Sequence, residues 1–313
     1  MGKYKVTQGQ NLYDVSLHIY GSIEGILDLL VNNASLSLDK ELCSGEELLY
    51  TDDYLINREV AAYYDTHGIV PASGQRQVYP KYFTLPKTLE IYIPGKEINA
   101  GFTLSGEGVL EADWGDNSPV EIIRVSDTRQ SVSHIFDSPA TGGKRKITLY
   151  MSASLKSLDI SGLRLLALYI LKPVYVERLI VCDTASGLES LPLFEGLFFL
   201  SLDRVRTENL MPLVELKGLM NLYLDGFVYR QPTIDAYLIA LVKRHGGRRN
   251  CHIRMQTVPS GSYAEPDKDD HNRYILTSGM EAVWVLTHEP AWNEGGSWEF
   301  IINDTKYTYE QNN

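Results

Sequence analysis

Three hydrophobic rhythms divide the chain. Residues 3–7 are expected to form a strand, after which Gly9-Gln10 turns the chain and Asn11 is placed to cap a helix whose Leu12, Val15 and Ile19 share one face. Gly21 stops that helix, where a positive φ costs glycine little. Ser22 is expected to cap a second helix, with Ile23, Ile26, Leu27 and Leu30 at the i, i+3, i+4, i+7 spacing of a buried face. Asn32-Asn33 ends it, Leu36 and Leu38 are expected to tuck inward, and Gly45 precedes a second strand at Leu48-Leu49-Tyr50. The order is strand, helix, helix, strand.

From about residue 88 to 150 the period becomes two, as in Leu89, Ile91, Ile93 and in Ile147, Leu149, which favours an antiparallel sandwich. From residue 155 a longer repeat takes over. Leu158, Leu179, Leu200 and Leu222 anchor four similar segments spaced by 21, 21 and 22 residues. Segments of this length bury their leucines only when stacked on neighbours. A helix is expected from Thr233, its cap, to about His245, with Asp235 at its positive end and Gly246-Gly247 stopping it; a final strand follows at residues 251–255. After a polar stretch at 265–273, Ser278 and Glu281 form a capping-box signal, and residues 297–302 and 306–309 read as a hairpin about Asn303-Asp304. Trp284, Trp292 and Trp298 are read as the core of that last unit or its lid on the repeat, with solvent-facing platforms for sugars as the competing reading.

Composition narrows the function classes. With 29 Lys+Arg against 40 Asp+Glu the formal charge is -11, so the average surface has no attraction for nucleic acid or anionic lipid, and no nucleic-acid partner is expected. The apolar runs are broken well short of the ~20 residues needed to span a bilayer. No membrane insertion is expected, and the polar start Met1-Gly2-Lys3 lacks the pattern of a signal peptide, which points to synthesis in the cytoplasm. Cys43, Cys182 and Cys251 have no paired spacing and are read as free, mostly buried thiols.

No constellation proposes catalysis. Asp113, Asp116 and Asn117 lack the alternating ligands of a calcium loop, and His134 is expected to make a structural hydrogen bond to Asp116 or Asp113. Cys251 and His252 are adjacent on a strand and so face opposite ways. His288-Glu289 lacks a partner at fixed spacing. No catalytic residue, metal or cofactor is expected, and the chain is read as not an enzyme.

The N-terminal residues Tyr4, Val6, Gly9, Leu12, Tyr20 and Gly21, with Asn32-Asn33 and Ser44-Gly45-Glu46-Glu47-Leu48, resemble the LysM domain. The departure is Leu49-Tyr50-Thr51, where that family usually carries Ile-Pro. The resemblance implies a shallow groove for N-acetylglucosamine polymers such as peptidoglycan or chitooligosaccharide, with Gly9, Gln10, Asn11 and Leu12 on one side and Asn32, Asn33, Ala34 and Ser35 on the other. The competing reading has Gly9 and Asn33 making turns, Asn11 capping a helix and Leu12 packing the core.

The segment from Asn57 through Gly68-Ile69-Val70-Pro71-Ala72-Ser73-Gly74, following such a module, looks like small tail-associated proteins in prophages of Bacteroidetes-type bacteria. That resemblance implies a protein-docking role for the first module and incorporation in a virion or tail-like particle. Residues 111–118, containing Trp114-Gly115-Asp116, with His134-Ile135-Phe136, resemble the polycystic kidney disease (PKD)-like sandwich. The leucine spacing is similar to leucine-rich repeats, although that family's Asn after the strand appears here as Asp183, Arg204 or Gly226.

The expected fold is therefore multidomain α+β. It comprises a βααβ LysM-like module at 1–53, a linker or helical connector at 54–86, a PKD/Ig-like β-sandwich at 87–152, a leucine-rich-repeat-like parallel sheet at 153–258, and a small C-terminal α/β unit at 259–313. Ser157, Asp159, Arg178, Ser201 and Tyr223 are the candidate protein contacts on the exposed face of the repeat. The leading expectation is a non-catalytic structural or adaptor protein of a prophage tail, baseplate or related assembly, with other proteins of that assembly as partners. The alternative is a cell-wall protein that binds peptidoglycan through the first module.

Overall fold

The computed structural model describes residues 1–73, 81–136, 140, 142–185 and 187–309. Gly74, the last residue of the tail-protein motif, and residues 75–80 of the expected connector lie outside the described residues. The chain divides into two units, residues 1–80 with 117–119, and residues 81–116 with 120–313.

In the first unit, β1 (Gly2–Lys5) is followed by α1 (Leu12–Tyr20), a single 3-10 turn at Ile23–Gly25, α2 (Ile26–Asn32), β2 (Glu47–Tyr50) and α3 (Arg58–His67). β1 and β2 pair antiparallel. Asn11 and Asp14 cap α1 reciprocally, each side chain accepting the other's backbone N–H at 2.9 Å. Gly21 ends α1 at φ 67°, and a Cβ there would lie 2.1 Å from the carbonyl oxygen of Asn57, so two independent constraints require glycine. Val6, Leu12, Val15, Tyr20, Ile26, Leu29 and Leu48 form the core.

The second helix is rotated from its expected phase. Ile26 is buried and Leu30 packs on the core as expected, but Leu29 is buried too, whereas Ile23 and Leu27 are 54% and 71% exposed. The 3-10 turn advances 120° per residue instead of 100°, and it seats Gly25 against the Tyr20 ring, where a Cβ would come within 2.0 Å. The face carrying Gly25, Ile26 and Leu29 is thereby turned inward. Leu36 packs on the core as expected, but Leu38 stays outside it at 57% exposure.

The second unit holds, among the described residues, one hydrogen-bonded sheet of fourteen strands. Its antiparallel part comprises β3 (Lys87–Pro94), β4 (Asn99–Asp113), β5 (Glu121–Val125), β6 (Gln130–Ile135), β7 (Lys144–Asp159) and β8 (Ala167–Ile170). β4 pairs with β6 through its first half, with β5 through its second half and with β7 along most of its length. A register shift at Ser105/Gly106 and positive φ at Gly106 and Gly108 bend the strand, and Phe102 in its first half and Trp114 just past its end lie 5.9 Å apart in one core.

The parallel part adds β9 (Val174–Val176), β10 (Arg178–Cys182), β11 (Phe194–Glu195), β12 (Phe199–Asp203), β13 (Asn221–Leu224), α4 (Gln231–Lys243), β14 (His252–Met255), α5 (Gly279–His288), β15 (Glu299–Ile302) and β16 (Thr305–Thr308). Leu158, Leu179, Leu200, Leu222, Ile253 and Phe300 are successive partners across β7, β10, β12, β13, β14 and β15. All six are buried. The 21-residue spacing is thus realised as a stack of leucines in register.

Two expected seams are crossed by this sheet. β7 runs unbroken through residues 152 and 153, because its first half pairs antiparallel with β3 and its last residues open the parallel ladder beside β10. β15 extends the same ladder beyond residue 259, and β16 closes it as an antiparallel hairpin over Asn303-Asp304, both at positive φ. α4 begins two residues before Thr233, with Pro232 in its first turn; Asp235 accepts the Ser260 N–H at 2.9 Å. The capping box at Ser278 and Glu281 opens α5 as read. No helix among the described residues is long and apolar enough to cross a membrane.

Candidate functional site

The eight candidate sugar-binding residues fall into two groups. Gln10 is buried and its amide is fully engaged: Oε1 accepts the Thr7 N–H at 2.8 Å, and Nε2 donates to the Tyr4 hydroxyl at 2.8 Å and the Pro71 carbonyl at 3.0 Å. Asn11 caps α1 and Leu12 lies in the core. Asn33 clasps α2 to β2, donating to the carbonyls of Leu29 and Leu49 and accepting the Leu49 N–H, all within 2.9 Å. Asn32 donates to the Asp28 carbonyl at 2.9 Å and to the Thr51 hydroxyl at 3.3 Å. Gly9, with no side chain, is half-buried, and Ala34 and Ser35 are exposed.

A contact that sequence reasoning missed covers the first of these loops. Ser73 donates from its backbone N–H and its hydroxyl to the two Asp14 carboxylate oxygens, at 2.9 and 2.6 Å, and accepts from Asn11 Nδ2 at 3.4 Å. Together with Pro71 on Gln10, this straps residues 71–73 over the start of α1. Nothing in the local pattern signals it, because the partners are about 60 residues apart.

Beneath the second loop, Asp28 accepts the Thr51 N–H and hydroxyl and the Tyr20 hydroxyl at 2.9, 2.6 and 2.6 Å. Partial burial disfavours its charge, but these donors outweigh burial and hold its pKa below the ordinary value. Burial first, and then the hydrogen bond to Asp28, push the Tyr20 hydroxyl well above its usual range.

On the parallel sheet, Ser157, Asp159, Arg178, Ser201 and Tyr223 all alternate with the buried leucines and so share the opposite face. Arg178 lies over the Phe199 ring at 3.5 Å, and Phe199 meets Tyr223 at 5.3 Å. A cation and two aromatic rings therefore run across β10, β12 and β13. Arg129 pairs with Asp159 at 2.9 Å, Arg254 with Asp225 at 3.1 Å and Lys306 with Glu299 at 2.7 Å.

The turns that follow the strands solve the missing-asparagine problem with backbone. Asp183, Arg204 and Gly226 have φ of 49°, 52° and 70°, so the same left-handed position recurs on each rung. The N–H of Asp183 donates to the Asp203 carbonyl at 3.1 Å, and that of Arg204 to the Asp225 carbonyl at 2.9 Å. Arg204 also grips Asp183 through two parallel bonds of 2.6 and 2.8 Å.

The remaining chemical candidates are spent on structure. His134 Nε2 lies 2.7 Å from Asp116 Oδ2 and its ring stacks on Trp114 at 5.0 Å. Asp113 pairs with Lys81 at 2.6 Å. Burial raises the Cys251 thiol to about 12, which keeps it protonated. Trp298 is buried, Trp292 stacks on His245 at 3.9 Å and Trp284 on His288 at 4.2 Å. Comparison with family models, with curated proteins and with solved structures found no match.

Proposed function

We propose that this chain is a non-catalytic structural or adaptor protein, acting through protein–protein contacts within a prophage tail, baseplate or related assembly. The in-register stack of leucines is the observation that carries the reading. By fixing every second side chain inside, it presents Ser157, Asp159, Arg178, Ser201 and Tyr223 on one continuous face. The cation–aromatic run of Arg178, Phe199 and Tyr223 gives that face rigid anchors of the kind that dominate protein interfaces. The LysM-like order of the first unit and the leucine-rich-repeat-like spacing agree with a modular adaptor.

Peptidoglycan binding is the weaker reading, because Gln10, Asn11, Asn32 and Asn33 already use their side chains within the protein. A titration of the whole chain with chitooligosaccharide or muropeptide, followed by the resonances of residues 9–12 and 32–35, separates the two. The adaptor reading expects no saturable shifts there, and expects neighbouring tail proteins to be retained without glycan. It further expects Arg178→Ala with Tyr223→Ala to weaken that retention at least tenfold; saturable shifts with no retention would reverse the conclusion.

A further inference from the structure

The expected buried face of the second helix is split: Ile26 and Leu30 reach the core, while Ile23 and Leu27 face water. Leu27 and Val31 stand one turn apart on the outer side of α2 and are 71% and 84% exposed, and Ile23, on the 3-10 turn before it, is 54% exposed. These aliphatic side chains form an apolar patch, with Leu27 and Val31 at i and i+4 of α2 as its ridge, on a module whose own core is complete without them. An apolar ridge that faces water is costly to keep, and such ridges mark contact sites more often than single exposed leucines do.

Charge defines what fits it. Residues 1–73 contain eleven Asp and Glu against four Lys and Arg, a net -7 of the chain's -11. Glu24 lies beside the ridge on the helix surface and is exposed. A second copy of the chain would bring two such acidic modules together, and an anionic lipid surface would be repelled. We infer that the outward face of α2 is a docking surface for a partner-protein segment that is both apolar and cationic: an amphipathic helix edged with Lys or Arg. A helix is the natural complement, because the ridge of one helix seats in the groove of another.

This docking site rests on the adaptor reading and specifies one of its contacts. The test uses the full chain with methyl-labelled Ile, Leu and Val, titrated with an 18-residue helical Leu/Lys peptide and, as the control, its Leu/Glu counterpart. Saturable shifts are expected at Ile23, Leu27 and Val31 with the cationic peptide only, weakening as salt rises. Leu27→Glu and Val31→Glu should each reduce affinity at least tenfold while leaving the melting temperature unchanged, since neither side chain is in the core.

Equal binding of both peptides, or variants that bind as well as the parent chain, would sink the inference. So would dimers in sedimentation that Val31→Glu disperses, which would make a second copy the occupant. Shifts confined to Ile180, whose methyls share the sheet face of Arg178 and Ser201, would overturn this docking site yet leave the adaptor reading standing. Saturable chitooligosaccharide binding with no peptide binding would overturn both.

Discussion

At the scale of single residues, buried polar groups decide more than their number suggests. His245 is buried, stacked on Trp292 and close to Arg248, whose guanidinium donates to the carbonyls of Val214 and Leu216. Burial first, and then the Arg248 charge, lower the His245 pKa to about 4. Because the unfolded chain binds this proton near pH 6.5, the contribution is complete above that value and is lost as pH falls toward 4. The loss amounts to at most about 3 kcal/mol. Denaturant melts at stepped pH should show that slope, and His245→Phe, which keeps the stack, should flatten it.

The thiols provide a second residue-scale expectation. Cys251 is buried and held protonated, whereas Cys43 is exposed and Cys182 half-buried, so only one of the three thiols is buried as expected. Maleimide should label Cys43 in the native protein and reach Cys251 only after unfolding, which mass spectrometry of digests would distinguish. Glu111 is a related case. It is buried, which opposes its charge, but N–H donors of Thr84 and Leu85 and the Thr84 hydroxyl keep its pKa below the ordinary carboxylate value. Its stabilising share is present at neutral pH and disappears as pH falls through that lowered value.

At the scale of elements, caps and clasps convert local sequence into fixed ends. Ser278 accepts the Glu281 N–H while Glu281 accepts the Ser278 N–H at 3.0 Å. Ser278→Ala should therefore cost about 1 kcal/mol in thermal or chemical unfolding of the second unit. Asn33 serves three backbone groups at once. Its replacement by Ala should destabilise the first unit by about 2 kcal/mol, since the β2 groups at Leu49 lose their partner, with hydrogen exchange at Leu49 as the readout. α2 shows the limit of element-level reading: the i, i+3, i+4, i+7 pattern marked a helix and placed Ile26 and Leu30 on the core, but Ile23 and Leu27 face water and Leu29 is buried instead, because a 3-10 turn and the Tyr20 ring shift its phase.

At the scale of the whole molecule, cooperativity follows the sheet. β7 belongs to both the antiparallel and the parallel parts, so the second unit is expected to melt as one body. Leu200 sits in the middle of the leucine stack and is buried. Leu200→Ala should lower the stability of the whole second unit by about 2–5 kcal/mol, seen as a concerted shift of probes in β4 and in β14, while the first unit's transition stays in place. Separate transitions for β4 and β14 would show that the continuous strand does not couple them.

The sequence by itself determined the elements whose signals are local: the Asn11 and Ser278 caps, the Gly21 stop, the hairpin over Asn303-Asp304, and the leucine period that becomes a ladder. Helix phase, the bend of β4, the strap from Ser73 to Asp14 and the passage of β7 from one part of the sheet to the other were decided only in three dimensions. The physical reason is one of range. Caps and periods are satisfied by neighbours within a few residues, whereas the burial of a face or the occupation of a carboxylate depends on which distant group arrives there first.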